Sequence, residues 1–243
     1  MNKYPAYIMI TLSYILGGSS LLMFCAFCYF GSMHLVNQEL TTTGILLFDA
    51  GLSLVFFLQH SGMVRKSFHH YLKQCIPEAY MSAIYSIFSG IVLVIVVVFW
   101  QETSSMVASA EGAFRFVLRL FFAASVAGFY WGIRSLGSFD PFGIRAIVYD
   151  LHRKTPKAMP LTIRGPYRWV RHPLYFFVLI MIWTNPDLTA DRLLFNILWT
   201  VWIFIGAVLE ERDLVSHFGE AYRQYQQKVA MIIPMRIFPS WPT

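Results

Sequence analysis

The stretch "AYMSAIYSIFSGIVLVIVVVFW" (Ala79–Trp100) contains no charged residue. At a rise of 1.5 Å per residue, about 20 apolar residues in a helix cross the roughly 30 Å hydrocarbon layer of a bilayer. This stretch therefore predicts a transmembrane helix. The composition of the whole chain agrees, because 57% of its 243 residues are hydrophobic and only 13% are charged. Soluble domains carry about 25% charged residues.

Other apolar stretches predict a multi-pass membrane protein. They are Tyr7–Phe30, Gly44–Gln59, Phe116–Ile133, Leu174–Trp183 and Leu193–Leu209. The first is too long for a cleavable signal peptide, so we expect it to remain as a span, and the last two fall short of the roughly 20 residues that cross the layer. We predict an all-α fold, a polytopic transmembrane helical bundle of about five or six membrane helices with a cytoplasmic C-terminal helical tail.

The basic residues predict the orientation of these helices. With the N-terminus in the cytoplasm, sixteen of the nineteen Lys and Arg residues lie on the cytoplasmic side, in agreement with the positive-inside rule. The C-terminus then lies on the same side. Membrane topology and contact with anionic lipid account for the net charge of +6. No nucleic-acid-binding module accompanies this charge, so we predict no nucleic-acid partner.

No internal repeat or long linker divides the chain, so we predict one integral-membrane domain over residues 1–243. Residues 1–133 hold the N-terminal membrane helices, and residues 134–243 hold a cytoplasmic loop, the last helix pair and the tail. The cysteines Cys25, Cys28 and Cys75 lack the second ligand pair that a zinc site needs, and no HExxH motif occurs. We therefore predict packing cysteines and no metal site.

The stretch "RGPYRWVRHPLYFFVLI" (Arg164–Ile180) places charge and proline at the start of an apolar helix. Pro173 suits the first helical turn, where its missing N–H has no partner in any case. The N–H groups of Leu174 and Tyr175 then point out of a positive dipole end beside Arg168 and Arg171, which predicts an anion-binding site. The alternative is that these arginines extend to lipid headgroups and that His172 only caps the helix.

A second polar cluster follows the last apolar stretch. By helical spacing Glu210, Asp213, Leu214 and His217 share one face, whereas Glu211 points elsewhere with Val215 and Phe218. Carboxylates next to an apolar helix are costly unless they are hydrated or paired. They could bridge to Arg212 or to the basic loop, or they could bind the cationic end of a zwitterion whose anionic end lies at the start of the Pro173 helix.

A third cluster ends the second apolar stretch, where Gln59, His60 and Ser61 precede Arg65. A lone histidine at a membrane interface is either structural or catalytic, and the spacing alone leaves both interpretations open.

Two motifs resemble those of the membrane methyltransferases related to isoprenylcysteine carboxyl methyltransferase. "GPYRWVRHPLY" (Gly165–Tyr175) resembles the family's G-x-Y-x-x-x-R-H-P-x-Y signature, and "EERDLVSHFGEAYRQY" (Glu210–Tyr225) resembles its E-E-x-x-L-x-x-x-F-G-x-x-Y-x-x-Y signature. The resemblance implies the cofactor S-adenosyl-L-methionine. With Arg171 from the anion site, the expected cofactor-binding residues are Met159, Pro160, Leu161, Thr162, Tyr167, Arg171, His172, Pro173, Leu174, Tyr175 and Glu210.

Stretches along nearly the whole chain resemble the methanethiol S-methyltransferase branch of this family. The resemblance rests on "FFLQHSGMVRKSF" (Phe56–Phe68), "FWQ" (Phe99–Gln101), "SFDPFGIR" (Ser138–Arg145) and the Thr184–Val215 segment. It implies methyl transfer to the sulfur of a small thiol such as methanethiol, which gives dimethyl sulfide. His60 and Arg65 are the candidate catalytic residues, because a thiol must lose its proton before it attacks.

Two alternatives stay open at this point. One is methylation of a prenylcysteine or a lipid, although Gly206 stands where the prenylcysteine enzymes have the arginine that binds the substrate carboxylate. The other is a non-catalytic membrane protein that binds haem or transports a small molecule, with His34, His60 or His172 as ligands or relays. The sequence makes no prediction of the oligomeric state.

Overall fold

The computed structural model describes residues 4–65, 68, 71–137, 140–154 and 160–234. Among these residues, five helices are long and apolar enough to cross a membrane, and the sheet content is limited to two short strands. The predicted all-α polytopic bundle is confirmed.

The membrane-length helices are α1, α2, α3, α4 and α7. Their bounds are Tyr4–Phe30 for α1, Thr42–Val64 for α2, Met81–Phe99 for α3 after a 3₁₀ turn at Glu78–Tyr80, Gly112–Leu136 for α4, and Ala190–Phe218 for α7. Within α1, one π-helical turn interrupts the α-helix at Ser13–Gly17.

Shorter elements connect these helices. They are β1 (Met106–Ser109), α5 (Ile144–Leu151), a 3₁₀ turn (Gly165–Arg168), α6 (Pro173–Trp183), β2 (Asp187–Thr189) and α8 (Glu220–Lys228). The two strands pair with each other.

The expectation that the Leu193–Leu209 segment forms a short helix is wrong, because α7 extends over 29 residues. An apolar stretch ends at the first charged residue, but here the charged residues at the start of the helix are buried with partners. The carboxylate of Asp191 accepts hydrogen bonds from the backbone N–H of Thr103 at 2.8 Å and from the indole N–H of Trp100 at 3.1 Å. Arg192 donates to the carbonyl of Phe27 at 2.7 Å.

The described residues form two compact units. The first comprises the described residues within 1–106, 140–158 and 189–195, and it contains α1, α2, α3 and α5. One core cluster in this unit joins Ala6 of α1, Ala83 of α3 and Ile147 of α5. The carboxylate of Asp49 on α2 is fully buried and accepts a hydrogen bond from the backbone N–H of Gln101 at 3.1 Å.

The second unit comprises the described residues within 107–139, 159–188 and 196–243. In it α4 packs against α6, and Gly128 permits the close approach, since a Cβ atom at that position would overlap the ring of Phe177. A second core cluster joins Ile203 and Ala207 of α7 to Ile232 near the C-terminus. The prediction of one domain over residues 1–243 concerns how the two units combine, and it stays a prediction.

Candidate active site

The second unit contains a cavity of about 370 Å³. This volume lies within the range of about 300–1,000 Å³ that is usual for small-molecule sites. The lining residues come from the end of α4, the segment before α6, the first turn of α6, the end of α7 and the tail. They are Leu136, Pro160, Leu161, Thr162, Tyr167, Arg171, His172, Pro173, Leu174, Tyr175, Glu210, Leu214, Phe218, Tyr222 and Tyr225.

The cavity therefore brings together every expected cofactor-binding residue except Met159, which lies outside the described residues. Five of its lining residues were not expected from the sequence: Leu136, Leu214, Phe218, Tyr222 and Tyr225.

Backbone pairing holds the segment that leads into α6. Val170 forms an isolated parallel β-bridge with Ala230. The N–H of Arg171 donates to the carbonyl of Ala230 at 2.8 Å, and the N–H of His172 donates to the carbonyl of Met231 at 2.9 Å. Pro173 then occupies the first turn of α6, as its restricted backbone favours. The chain after α8 is thus what fixes the position of the arginine and the histidine.

Glu210 presents a carboxylate at the cavity wall. Its Oε2 atom accepts a hydrogen bond from the hydroxyl of Tyr175 at 2.8 Å and lies 3.5 Å from Nδ1 of His172. The rings of His172 and Tyr175 stack with a centroid distance of 5.3 Å and an interplanar angle of 7°. The side chain of Glu210 is 46% exposed, so it keeps access to a ligand.

Glu211 forms a buried hydrogen-bond network beside the cavity, and the sequence did not place it among the expected site residues. Its Oε1 atom accepts hydrogen bonds from Nε of Arg171, from Nε2 of His172 and from the hydroxyl of Tyr222, each at 2.8 Å. Its Oε2 atom accepts from Nη2 of Arg171 at 2.9 Å and from the amide of Gln226. Helical spacing placed Glu211 on another face than Glu210. A second carboxylate on a different face needs its own partners, and this was the signal for such a network.

Arg171 has its charge neutralised inside the protein. Besides the two hydrogen bonds to Glu211, its guanidinium donates to the backbone carbonyls of Gln226, at 3.1 Å, and Val229. Its side chain is only 10% exposed. Arg171 thus lines the cavity, but its charge is committed to partners in the protein. By contrast, Arg168 in the 3₁₀ turn is exposed.

The chain is similar in sequence to known methyltransferases. It is 38% identical over 198 residues to the methanethiol S-methyltransferase of Pseudomonas sp. (strain GM41(2012)). The aligned residues cover 79% of this chain and 74% of that protein. It is 35% identical over 198 residues to the methanethiol S-methyltransferase of Pseudomonas deceptionensis, and this alignment covers 78% of this chain and 72% of the relative. This chain belongs to the methanethiol S-methyltransferase family.

Membership in the methanethiol S-methyltransferase family confirms the resemblance that the motifs indicated. The chain is a multi-pass membrane methyltransferase, and a methyltransferase requires a methyl donor. A more distant similarity connects it to Nurim of Rattus norvegicus, at 26% identity over 203 residues that cover 78% of this chain and 75% of that protein. No family model and no solved structure matches the chain.

Two buried tyrosines of α8, Tyr222 and Tyr225, form part of the cavity wall. The hydroxyl of Tyr225 donates to the backbone carbonyl of Tyr167 at 2.5 Å. Burial raises the pKa of Tyr222, as does the hydrogen bond that it donates to Glu211. Burial likewise raises the pKa of Tyr225. Both side chains therefore remain protonated donors at neutral pH, and they pack with Leu161 in one core cluster.

His60 and Arg65, the candidate catalytic residues, belong to the first unit. The His60 ring contacts the hydroxyl of Tyr85, at 2.7 Å from Nε2 and 3.2 Å from Nδ1. It also contacts the ring of Phe56, with centroids 5.1 Å apart. Arg65 is exposed at the C-terminal end of α2. Within the described part of the chain, no group of three or more His, Cys, Asp or Glu side chains could hold a metal ion.

Proposed function

We propose that the chain is an S-adenosyl-L-methionine-dependent methyltransferase that methylates the sulfur of methanethiol to give dimethyl sulfide. The observation that supports this proposal most strongly is the cavity in the second unit, where the Arg171-His172-Pro173 segment meets Glu210. The relatives named methanethiol S-methyltransferase support the substrate.

The residues of the cavity fit such a methyl donor. The carboxylate of Glu210 attracts a positive charge, and the half-exposed side chain leaves it accessible. The first-turn N–H groups of α6, at Leu174 and Tyr175, lack acceptors within the helix and suit a carboxylate. Leu161, Leu214 and Phe218 add apolar walls for an adenosine. S-adenosyl-L-methionine supplies a methyl group that is already activated on a sulfonium.

We assign His60 and Arg65 to the thiol. A thiol has a pKa of about 8.5, so it is only partly ionised at neutral pH, and the thiolate is the nucleophile. The imidazole of His60 accepts the thiol proton, and the hydrogen bond with Tyr85 holds the ring in place. The guanidinium of Arg65 stabilises the thiolate. No metal ion or covalent enzyme intermediate takes part in this scheme.

The membrane location suits the substrate and the product, because both are small apolar molecules that partition into lipid. In this proposal both termini and the donor cavity face the cytoplasm, where the donor is dissolved. The segments around residues 61–78 and 134–172 then lie on the same side.

The test is an activity assay on purified protein in lipid nanodiscs. With methyl-labelled S-adenosyl-L-methionine and methanethiol, we expect labelled dimethyl sulfide well above a heat-inactivated control. A prenylcysteine and a lipid amine are assayed in parallel with the same protein. The proposal is wrong if one of these two acceptors takes up the label and methanethiol does not, or if no acceptor is labelled although the protein is folded.

A further inference from the structure

Glu211 lies where three segments of the second unit meet. Its carboxylate accepts hydrogen bonds from Arg171 and His172, which precede α6. It also accepts hydrogen bonds from Tyr222 and Gln226, which lie on α8, and Glu211 itself belongs to the end of α7. Each of these segments lines the cavity, whereas Glu211 is not one of the lining residues. It contacts residues that line the cavity but does not face the cavity itself.

The pair of Arg171 and Glu211 is buried, with side chains only 10% and 9% exposed. All three guanidinium nitrogens of Arg171 have partners, and Glu211 provides the negative charge among them. Removal of one member of a buried pair leaves an uncompensated charge, which costs more than removal of both. Glu211 therefore cancels a positive charge that would otherwise act on Glu210 and on any ligand in the cavity.

The same carboxylate orients the ring of His172 and determines which of its nitrogens carries a hydrogen toward Glu211. Glu211 accepts hydrogen bonds from a guanidinium, a phenol and an amide, so it is ionised and can only accept. Nε2 of His172, 2.8 Å from Oε1, must then carry a hydrogen. This contact fixes the ring plane, and Nδ1 is left on the side of Glu210, 3.5 Å from its Oε2 atom.

We propose that Glu211 is a positioning residue for the methyl-donor site. It acts through His172, whose tautomer and ring orientation it sets, and through Arg171, whose charge it neutralises, and it does not touch the donor. The role rests on the proposed function, since it concerns the wall of the donor cavity.

The first test is Glu211→Gln, with S-adenosyl-L-methionine as the calorimetric titrant. Gln retains an acceptor for His172 and Tyr222, but its amide opposes Arg171 and leaves the guanidinium charge uncompensated. We expect the Kd of the donor and its KM with methanethiol to rise about tenfold or more, with kcat at saturating donor within about threefold of the parent. A purely structural role would lower the active fraction, and hence kcat, at unchanged KM, and that result would overturn the proposal.

The second test is the double variant Arg171→Met with Glu211→Gln, which removes the charge and its partner together. We expect the Glu211→Gln change to weaken donor binding much less in the Arg171→Met background than alone, a coupling of about tenfold or about 1.4 kcal/mol. Independent effects of the two substitutions would contradict charge neutralisation. If Glu211→Gln alone does not fold, the comparison of Arg171→Met with the double variant still decides, because a loss of donor affinity of about tenfold or more on adding Glu211→Gln in that background overturns charge neutralisation.

The matched control is Glu220→Gln, which removes a carboxylate from the exposed first turn of α8. We expect its Kd for the donor to stay within about twofold of the parent. The parent protein separates the two proposals. If the parent binds no S-adenosyl-L-methionine, the proposed function fails, whereas a parent that binds the donor beside an unaffected Glu211→Gln variant contradicts only the role of Glu211.

Discussion

Two adjacent carboxylates, Glu210 and Glu211, have different surroundings. Glu211 is enclosed by donors from two other segments, whereas Glu210 has one hydroxyl donor and remains half-exposed at the cavity. A carboxylate with saturated hydrogen bonds contributes to structure, and one with free acceptor capacity can bind a cationic ligand. This difference supports the proposals that Glu210 binds the ligand and that Glu211 supports the cavity wall.

Substitutions at these residues separate donor binding from turnover. We expect Glu210→Ala and His172→Ala to weaken binding of S-adenosyl-L-methionine by about tenfold or more, because each removes a polar group from the cavity wall. His60→Ala is expected to lower kcat by about a hundredfold through loss of the proton acceptor, with donor affinity within about twofold of the parent. Calorimetry and steady-state kinetics measure the two quantities. The assignments are contradicted if Glu210→Ala and His172→Ala, like His60→Ala, bind the donor with the affinity of the parent.

The motif residues of the cavity could be predicted from the sequence, but their hydrogen-bond partners could not. Glu210 and His172 stand in recognisable motifs, and helical spacing separates Glu210 from Glu211. The pairing of Arg171 with Glu211 depends on how the tail returns to the start of α6, since Arg171 also donates to the carbonyl of Val229. No local pattern encodes such a contact between distant segments.

At the scale of elements, the turn before α5 depends on Gly143. Its φ angle is +66°, and a Cβ atom there would overlap the peptide between Ser82 and Ala83. Both the backbone conformation and the absence of a side chain are therefore required for α5 to pack against the start of α3.

Gly143→Ala should destabilise the protein measurably. Left-handed backbone costs a non-glycine residue about 1–3 kcal/mol, and the overlap adds to this. We expect the melting temperature in detergent to fall by about 4 °C or more. Gly51→Ala in α2 is the control, because nothing lies within 4 Å of a Cβ atom at that position, and it should not lower the melting temperature. Equal melting temperatures for the two variants would contradict the role of the turn.

The extent of the helices shows where sequence patterns work and where they do not. Uninterrupted apolar runs such as Ala79–Trp100 gave the position of α3 closely, because hydrophobic thickness fixes the length of a span. The same criterion shortened α7, since it counts Asp191 and Arg192 as boundaries. Both residues are buried with partners: Asp191 accepts from Trp100, which directly follows α3, and Arg192 donates to Phe27 on α1. Such partners are visible only in three dimensions.

At the scale of the whole molecule, the orientation in the membrane is a proposal that a native cysteine can test. Cys75 is exposed and lies in the segment assigned to the cytoplasm, whereas Cys25 and Cys28 lie within α1. We expect a membrane-impermeant maleimide to label Cys75 only after the cells of an expression host are permeabilised.

The matched control is Ser104→Cys in a Cys75→Ser background. Ser104 is exposed in the segment between α3 and β1, which the proposed orientation places outside. We expect this variant to react in intact cells. The reverse labelling pattern would invert the topology and place the donor cavity on the side without S-adenosyl-L-methionine.

Helix α6 has a consequence that follows from its length alone. Its 11 residues extend about 16 Å, roughly half the thickness of the hydrocarbon layer. Lipids adapt to such a hydrophobic mismatch by local thinning of the bilayer or by tilt of the helix. The first turn of this helix forms part of the cavity wall. Under the proposed function, acyl-chain length, and with it the growth temperature that sets membrane thickness, thereby becomes a physical parameter of donor binding.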